Sequence, residues 1–319
     1  MTRQHIPVAL DRCIELLTPA IDLSLKNHPS TYVIDATLGL GGHTRALLAK
    51  YPTLIVIGID RDLDAIAIAR ESVAPFADRL LISHTTYDQI DSVLHEHGLA
   101  RVAGILFDLG VSSMQLDDGE RGFAYSHDAP LDMRMDQSGG LTAYEILQTY
   151  DHPALVRILR IYGEEKFAPR IADFILDARA AGNLNTTKDL ADLVKSAIPA
   201  AARRTGGNPA KRTFQALRIE VNQELAILER AIPAALSALE VHGRLVVMAY
   251  QSLEDKIVKS AFTAITASKT PRGLPVDLPD SAAKYAFVMR GSESASESEI
   301  LVNPRAQSMR LRAVERLAA

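Results

Sequence analysis

Four short apolar runs, separated by segments with helical spacing, most constrain the fold of this chain. Each is long enough for one buried strand and too short for a core helix, and the runs cover residues 32–36, 54–60, 80–83 and 103–108. Between them apolar residues recur with helical spacing, at 42–50, 64–74 and 88–96. Strands that alternate with helices of this length indicate βαβ units, so we predict an α/β fold with a parallel, doubly wound sheet.

This alternation stops after the fourth run. From 142 to 199 the apolar spacing is helical throughout, which predicts an all-helical domain inserted into the α/β domain. We place the insertion at 117–213, so that 1–116 and 214–319 form one discontinuous domain.

Sheet-forming sequence returns after the insertion. We predict an N-terminal amphipathic helix at 8–25, later helices at 214–239 and 253–267, a solvated loop at 292–299 and further strands at 244–249, 285–290 and 308–312. This makes seven strands, of which the last two are joined without a helix and the final one pairs antiparallel.

Composition limits the classes of protein and site. With 47% hydrophobic and 23% charged residues the chain suits a globular protein, and it has neither an apolar run of membrane-spanning length nor a signal-peptide pattern, so we expect a cytoplasmic protein. A single cysteine, Cys13, excludes an internal disulfide and a cysteine-clustered zinc site, and no other metal constellation is visible. The net charge of −4 gives no global positive field, so any contact with nucleic acid must be a local patch.

A glycine-rich segment follows the first predicted strand. It reads DATLGLGGH at 35–43 and opens a helix, where glycines allow close backbone approach and the helix N-terminus favours negative charge. The spacing is closer to D-x-G-x-G-x-G, with Thr37 in place of the first glycine, than to the dinucleotide pattern. That variant is typical of S-adenosylmethionine sites, although an ordinary tight turn would also explain the glycines.

Two acidic residues end predicted strands near this segment. Asp60 ends the second strand, about 20 residues after the glycines, where doubly wound folds place a carboxylate that accepts hydrogen bonds from ribose. As a cap for the next helix, Asp62 is better placed than Asp60. Asp108 ends the fourth strand, which this topology puts beside the first, so its carboxylate could face both cofactor and substrate. The small and amide-bearing residues Gly110, Ser112, Ser113 and Gln115 follow it.

A basic run is a local candidate for a phosphate-binding surface. Residues 203–218, RRTGGNPAKRTFQALR, contain five basic residues and no acidic one. The run suits a phosphate backbone, and a solvated helix end would explain it equally well.

Seven long motifs, in order along the chain, resemble a known family. They are GGH at 41–43, FDLGVSSMQLD at 107–117, RGF at 121–123, PLDMRMD at 130–136, YGEEKFA at 162–168, RTFQALRIEVNQEL at 212–225 and SLEDKIVK at 252–259. Together they resemble the ribosomal RNA small subunit methyltransferase H (MraW) family, the bacterial cytosine-N4 methyltransferases. The likeness covers nearly the whole chain, from HIPV at 5–8 to NPR at 303–305.

The resemblance implies a fold, a reaction and a set of contacts. The implied fold is a class I (Rossmann-like) methyltransferase sheet with an inserted helical substrate-recognition domain. The implied reaction is S-adenosylmethionine-dependent N4-methylation of a cytidine in the decoding region of 16S rRNA, within a small ribosomal subunit or its precursor. Carried over by motif, the cofactor contacts fall on Gly41, Gly42, His43, Asp60, Asp108 and Gln115, with Tyr87, where the family more often has Phe, against the adenine.

Two further departures from the family pattern concern histidines. The family commonly reads FHSLED where this chain has Tyr250 and Gln251 before SLED, and it commonly has His where this chain has Asn208. Neither histidine can therefore be an indispensable general base here, and the identity of the proton acceptor stays open.

Cytosine N4 is a poor nucleophile because its lone pair is delocalised into the ring, so positioning is most of the task. We hypothesise that Asp108 and the backbone carbonyls of 109–113 accept hydrogen bonds from the amine, with Ser112 and Ser113 as secondary contacts. The base must leave its stack to enter the site, and we predict that loop 130–136 clasps it. The RNA backbone would then contact Arg134, Arg203, Arg204, Lys211 and Arg212.

The cysteine count separates this reaction from methylation at cytosine C5, which usually uses a thiolate, because Cys13 lies far from the fourth strand in sequence. Two alternatives remain open. One is a class I methyltransferase acting on an amine of DNA or protein, and the other is a non-catalytic RNA-binding assembly factor that keeps the fold.

Overall fold

The computed structural model describes residues 7–202, 208–268 and 281–318. The chain divides into two compact units, one formed by 1–110 with 225–319 and the other by 111–224. The predicted insertion at 117–213 lies within the second unit.

The first unit contains the sheet. Its strands are β1 (Thr31–Asp35), β2 (Leu54–Asp60), β3 (Leu80–His84), β4 (Val102–Asp108), β5 (Leu239–Ala249), β6 (Tyr285–Phe287) and β7 (Arg310–Arg316). They lie in the order β3-β2-β1-β4-β5-β7-β6. The first five are parallel, and β7 runs antiparallel to both β5 and β6. The predicted α/β sheet is confirmed, as are the neighbouring positions of the first and fourth strands and the antiparallel final strand.

Helices cover both faces of this sheet. They are α1 (Leu10–Asn27), α2 (Gly42–Lys50), α3 (Leu63–Ser72), α4 (Ile90–Glu96), α11 (Glu224–Ala238), α12 (Ser252–Thr266) and α13 (Glu297–Val302), numbered along the whole chain. In β4, Ile105 and Phe107 pack into one core cluster while Leu106 packs into the cluster on the opposite face. A strand buried on both faces has no polar alternation, which is why 103–108 reads as a continuous apolar run.

The second unit is helical. It consists of α5 (Ser113–Asp117), α6 (Ala143–Thr149), α7 (His152–Ile161), α8 (Ala168–Ala180), α9 (Thr187–Ala197) and α10 (Lys211–Asn222). These helices enclose a separate core of aliphatic side chains with Phe123 and Phe214. None of the helices in the described ranges is long and apolar enough to cross a bilayer.

The structure corrects three predicted elements. The single helix at 214–239 is wrong, because Gln223 adopts a left-handed conformation (φ 51°) that ends α10 before α11 begins. The last two strands are not joined without a helix, since α13 lies between them and begins inside the predicted loop at 292–299. Strand β6 ends at Phe287, earlier than predicted, and β5 begins at Leu239.

Candidate active site

Three carboxylates end neighbouring parallel strands at the same edge of the sheet. Asp35 ends β1, Asp60 ends β2 and Asp108 ends β4. Open α/β sheets bind ligands outside the carboxyl ends of their strands, so these three side chains mark the functional edge of the first unit. The hydrogen bonds of each carboxylate show whether it only supports the local structure or also keeps an oxygen for a ligand.

Asp35 is committed to holding the loop between β1 and α2. Its side chain is 1% exposed. One carboxylate oxygen accepts the hydroxyl of Thr44 at 2.7 Å and the other accepts the backbone N–H of Thr37 at 3.4 Å. Burial raises the pKa of Asp35, while His43 and the hydrogen bonds oppose this rise. These contacts account for Asp35 without a ligand.

The glycine segment combines one open position with two tightly packed ones. A Cβ added to Gly41 (φ 78°) would lie 2.9 Å from Cγ2 of Val73, and one added to Gly42 would clash with Cγ of Pro7. At Gly39 (φ 51°) an added Cβ would meet only the carbonyl oxygen of Thr37, at 3.8 Å. Gly41 and Gly42 therefore allow close packing of the protein itself, and the open space for a ligand lies at Gly39.

Asp60 is held rigidly and is half-buried. Its Oδ2 accepts the N–H of Gly39 at 2.7 Å, and its Oδ1 accepts the N–H of Asp62 at 2.9 Å. Burial raises the pKa of Asp60 to about 6, against the lowering effect of these backbone hydrogen bonds. As predicted, Asp62 rather than Asp60 caps α3, because its Oδ1 accepts the N–H groups of Asp64 and Ala65. The carboxylate of Asp60 keeps lone pairs for further donors, as ribose recognition requires.

Asp108 is fixed from two sides. Its backbone N–H donates to the hydroxyl of Thr37 at 2.6 Å, and its Oδ1 accepts the hydroxyl of Tyr250 at 2.6 Å. Burial raises the pKa of the Asp108 carboxyl, while His43 and the hydrogen bond from Tyr250 oppose this rise. Within the described ranges Oδ2 accepts no hydrogen bond, and the residue is only half-buried. Asp108 thus offers one oxygen to a ligand.

Tyr250 is the functional candidate that the sequence analysis did not assign. It follows β5 directly, and its backbone N–H donates to Oε2 of Glu254 at 3.0 Å. Glu254 is 2% exposed and also accepts the backbone and side-chain N–H groups of Gln251. The departure from Phe at position 250 was the available signal, because it adds a hydroxyl to a half-buried ring.

His43 and Tyr87 take different positions in the first unit. His43 is buried, with Nε2 at 3.1 Å from the carbonyl oxygen of Val8, and it lowers the pKa of both Asp35 and Asp108. Tyr87 follows β3 and packs edge-on against Phe107, with ring centroids 5.4 Å apart. Because Tyr87 is half-buried, it keeps surface for stacking on a flat ligand.

The predicted serine and glutamine contacts lie in the second unit and form a helix cap. Ser112 accepts the backbone N–H of Gln115 at 3.2 Å, and the side-chain oxygen of Gln115 accepts the N–H of Ser112 at 2.9 Å. Gln115 is buried, while the side chain of Ser113 lies outside the described part. This reciprocal cap positions the start of α5.

The methionine-rich loop is internal to the second unit. Met133 and Met135 are buried in its core, where Asn222 binds their backbone groups at 2.7 and 2.8 Å. These two side chains are therefore part of that core, and the clasp of the base by loop 130–136 stays a prediction. Arg134 donates from Nη2 to Oδ2 of Asp132 at 2.8 Å and from Nε to Oδ1 at 3.0 Å, so its guanidinium already has an anionic partner.

Two of the predicted basic residues can be placed at the start of α10. Lys211 and Arg212 are exposed in its first turn, which contains no acidic residue. Cations there face the positive end of the helix dipole, an arrangement that an anionic partner would relieve. Arg218 is already paired with Glu224 at 2.8 Å. Arg203 and Arg204 lie outside the described residues.

Among the residues that the structure describes, no group of three or more His, Cys, Asp or Glu side chains could hold a metal ion.

Comparison with known proteins gives a consistent result along the chain. A family model described as the MraW methylase family matches residues 2–317. The ribosomal RNA small subunit methyltransferase H of Mycolicibacterium smegmatis is 58% identical over 313 residues, covering 98% of this chain and 84% of that protein. The proteins of the same name from Salinispora tropica and Thermobifida fusca are each 56% identical, covering 98% of this chain and 84% and 93% of their own lengths. The matches span both units.

Proposed function

This chain belongs to the MraW methylase family, and we propose that it methylates the N4 amine of a cytidine in the decoding region of 16S rRNA, with S-adenosylmethionine as methyl donor. The relatives named ribosomal RNA small subunit methyltransferase H support methylation of ribosomal RNA. The observation that carries the finer proposal is at Asp108, a half-buried residue of the functional edge whose Oδ1 is held by Tyr250 while Oδ2 accepts no hydrogen bond from the described residues.

The residues at this edge fit the proposed cofactor. Asp60 offers lone pairs to ribose hydroxyls from a position fixed by two backbone hydrogen bonds. Gly39 leaves open space beside it, and Tyr87 presents a partly exposed ring for an adenine. S-adenosylmethionine would supply an electrophilic methyl group. The assignments of Gly41, Gly42 and His43 as direct contacts stay predictions, as does that of Gln115.

Asp108 would act on the amine that receives this methyl group. An oxygen that accepts one N–H of the exocyclic amine draws the nitrogen lone pair out of conjugation and stabilises positive charge as the new bond forms. Burial, which raises the pKa of Asp108, also makes its carboxylate a better proton acceptor than an exposed one. The backbone carbonyls of 109–113 and the hydroxyls of Ser112 and Ser113, which the sequence analysis assigned as further contacts, stay predictions.

The second unit would hold the RNA. Lys211 and Arg212 are exposed at a helix start with no acidic neighbour in the turn, which suits a phosphate. Arg203 and Arg204 belong to the same basic run. Arg134 could contribute only by sharing its guanidinium between Asp132 and a phosphate. We propose the small ribosomal subunit or its precursor as the particle recognised and the cytoplasm as the location.

Methyl transfer from labelled S-adenosylmethionine to small subunits from a strain lacking this protein tests the proposal. Wild type should place label in N4-methylcytidine. Asp108→Asn should lower kcat by about a hundredfold or more, because it removes a positioned charge and base while keeping the shape. Asp91→Asn, at an exposed position on α4, is the matched control.

Other products would identify the alternatives. Label in DNA or protein but not in RNA would establish a methyltransferase with another amine acceptor. Cofactor binding without label in any acceptor would establish the assembly factor. Label in N4-methylcytidine that survives Asp108→Asn would keep the reaction and refute the assignment of Asp108.

A further inference from the structure

We propose that Tyr250 is a positioning residue for the reaction: its hydroxyl holds Oδ1 of Asp108, so that Oδ2 is presented to the amine as its proton acceptor. The proposal rests on the proposed N4-methylation and adds to it the residue that orients the accepting carboxylate. The family pattern that the sequence resembles commonly has Phe at position 250, which lacks the hydroxyl that makes this bond.

The geometry makes this hydrogen bond specific. Tyr250 and Asp108 are 142 residues apart in sequence and meet because β4 and β5 are parallel neighbours whose register pairs Asp108 with Met248. The O–O distance of 2.6 Å is short, as expected when the acceptor is ionised. A phenol has one O–H, so the bond commits that donor to Oδ1 and leaves Oδ2 for another.

The backbone of Tyr250 is anchored independently of its ring. Glu254, in the first turn of α12, accepts the N–H groups of both Tyr250 and Gln251. Thr37 accepts the backbone N–H of Asp108 at 2.6 Å. Both partners of the hydrogen bond therefore start from fixed backbones, and little freedom remains in the direction of the carboxylate.

The proton that N4 loses after methylation passes to Asp108. N4 would take up the methyl group through its lone pair while the carbon–sulfur bond of the donor breaks with its electrons left on sulfur, and the nitrogen would then carry a positive charge and two N–H bonds. One N–H bond breaks with its electrons left on nitrogen, and the proton forms an O–H bond at Oδ2 of Asp108. The product amine and the Asp108 carboxyl are then both neutral, and Tyr250 keeps its own proton throughout.

The hydrogen bond also sets the pH range in which the Asp108 carboxylate is ionised and can accept a proton. A donor to the ionised form lowers the pKa of a carboxyl, so Tyr250 counteracts burial and keeps Asp108 ionised to lower pH. Burial and the charge of Asp108 raise the pKa of Tyr250, which keeps the phenol protonated as a donor. The other titratable groups that act electrostatically on this pair are His43 on α2, Asp35 on β1, Cys13 on α1 and Glu254 on α12.

Tyr250→Phe tests the proposal with nearly unchanged shape. We expect kcat to fall roughly ten- to a hundredfold, which is the range for losing one hydrogen bond to a charged group. The affinity for the cofactor, measured by calorimetry, should not change. The acidic limb of the kcat profile should move to higher pH. The pKa of Asp108 in the ligand-free protein, measured by carboxyl ¹³C NMR, should rise in parallel. Tyr285→Phe removes a hydroxyl that donates to the Leu236 carbonyl at 2.9 Å and is the control.

A second variant covers the case in which Tyr250→Phe does not fold. Tyr250→3-fluorotyrosine keeps the bond but makes the hydroxyl a stronger donor, so the acidic limb and the pKa of Asp108 should move to lower pH. An unchanged kcat and pH profile in Tyr250→Phe would overturn the proposal. A lower kcat in which neither the acidic limb of the profile nor the pKa of Asp108 has moved would overturn it too. A product other than N4-methylcytidine from wild type would instead overturn the proposed function, and with it this role.

Discussion

Asp60 gives the most quantitative test of the cofactor site, because its pKa lies within the accessible pH range. If its carboxylate accepts hydrogen bonds from the ribose, affinity should follow its ionisation. With a pKa of about 6, Asp60 is roughly nine-tenths ionised at pH 7 and roughly one-tenth ionised at pH 5. We therefore expect the Kd for S-adenosylmethionine to rise about tenfold between those two pH values.

Substitution of Asp60 should remove this dependence. Asp60→Asn keeps the size of the side chain but loses the charge and one acceptor. A charge-assisted hydrogen bond contributes about 1.5–3 kcal/mol, which corresponds to a roughly 10- to 150-fold weaker complex at pH 8. The variant should then bind with the same Kd at pH 5 and pH 8. Titration calorimetry measures the Kd at both pH values, and Asp64→Asn, exposed on α3, is the control.

The stability of the ligand-free protein should change with pH in the opposite direction. Burial raises the folded pKa of Asp60 above its value in the unfolded chain. Its contribution to stability is therefore fully present below about pH 4 and is lost as pH rises through about 6. Asp60→Asn should remove that component of the pH dependence of unfolding. A wild-type Kd that agrees within twofold at pH 5 and pH 8 would refute the assignment of Asp60 to the ribose.

Two further variants separate packing from binding. Gly41→Ala should lower the free energy of unfolding by about 1–3 kcal/mol, measured by denaturant titration, because Gly41 has a positive φ and its new Cβ would clash with Val73; unchanged stability would contradict the packing role. Lys211→Ala should weaken RNA binding and reduce the slope of log K against log salt by about one, whereas Lys188→Ala, exposed on α9, should leave that slope unchanged. An equal slope in Lys211→Ala and wild type would remove Lys211 from the RNA surface.

Most of the fold could be predicted from local sequence patterns. The four β-strands before the insertion appear within one residue of their predicted limits, and α2 occupies the predicted residues. Each depends on apolar spacing within a few residues, which the chain displays directly. The helix at 214–239 failed because amphipathic spacing continues across its break, and nothing in that spacing requires a left-handed Gln223.

Only part of the candidate site could be predicted from the sequence. Asp60 and Asp108 were found because a carboxylate at the end of a parallel strand follows from strand limits alone. The sequence by itself determined which groups reach the functional edge of the sheet. Only the tertiary structure decided their partners: Gly41 packs against Val73, Met133 lies in a core, and Tyr250 holds Asp108 across 142 residues. Such pairings depend on which strands become neighbours, and no local pattern contains that information.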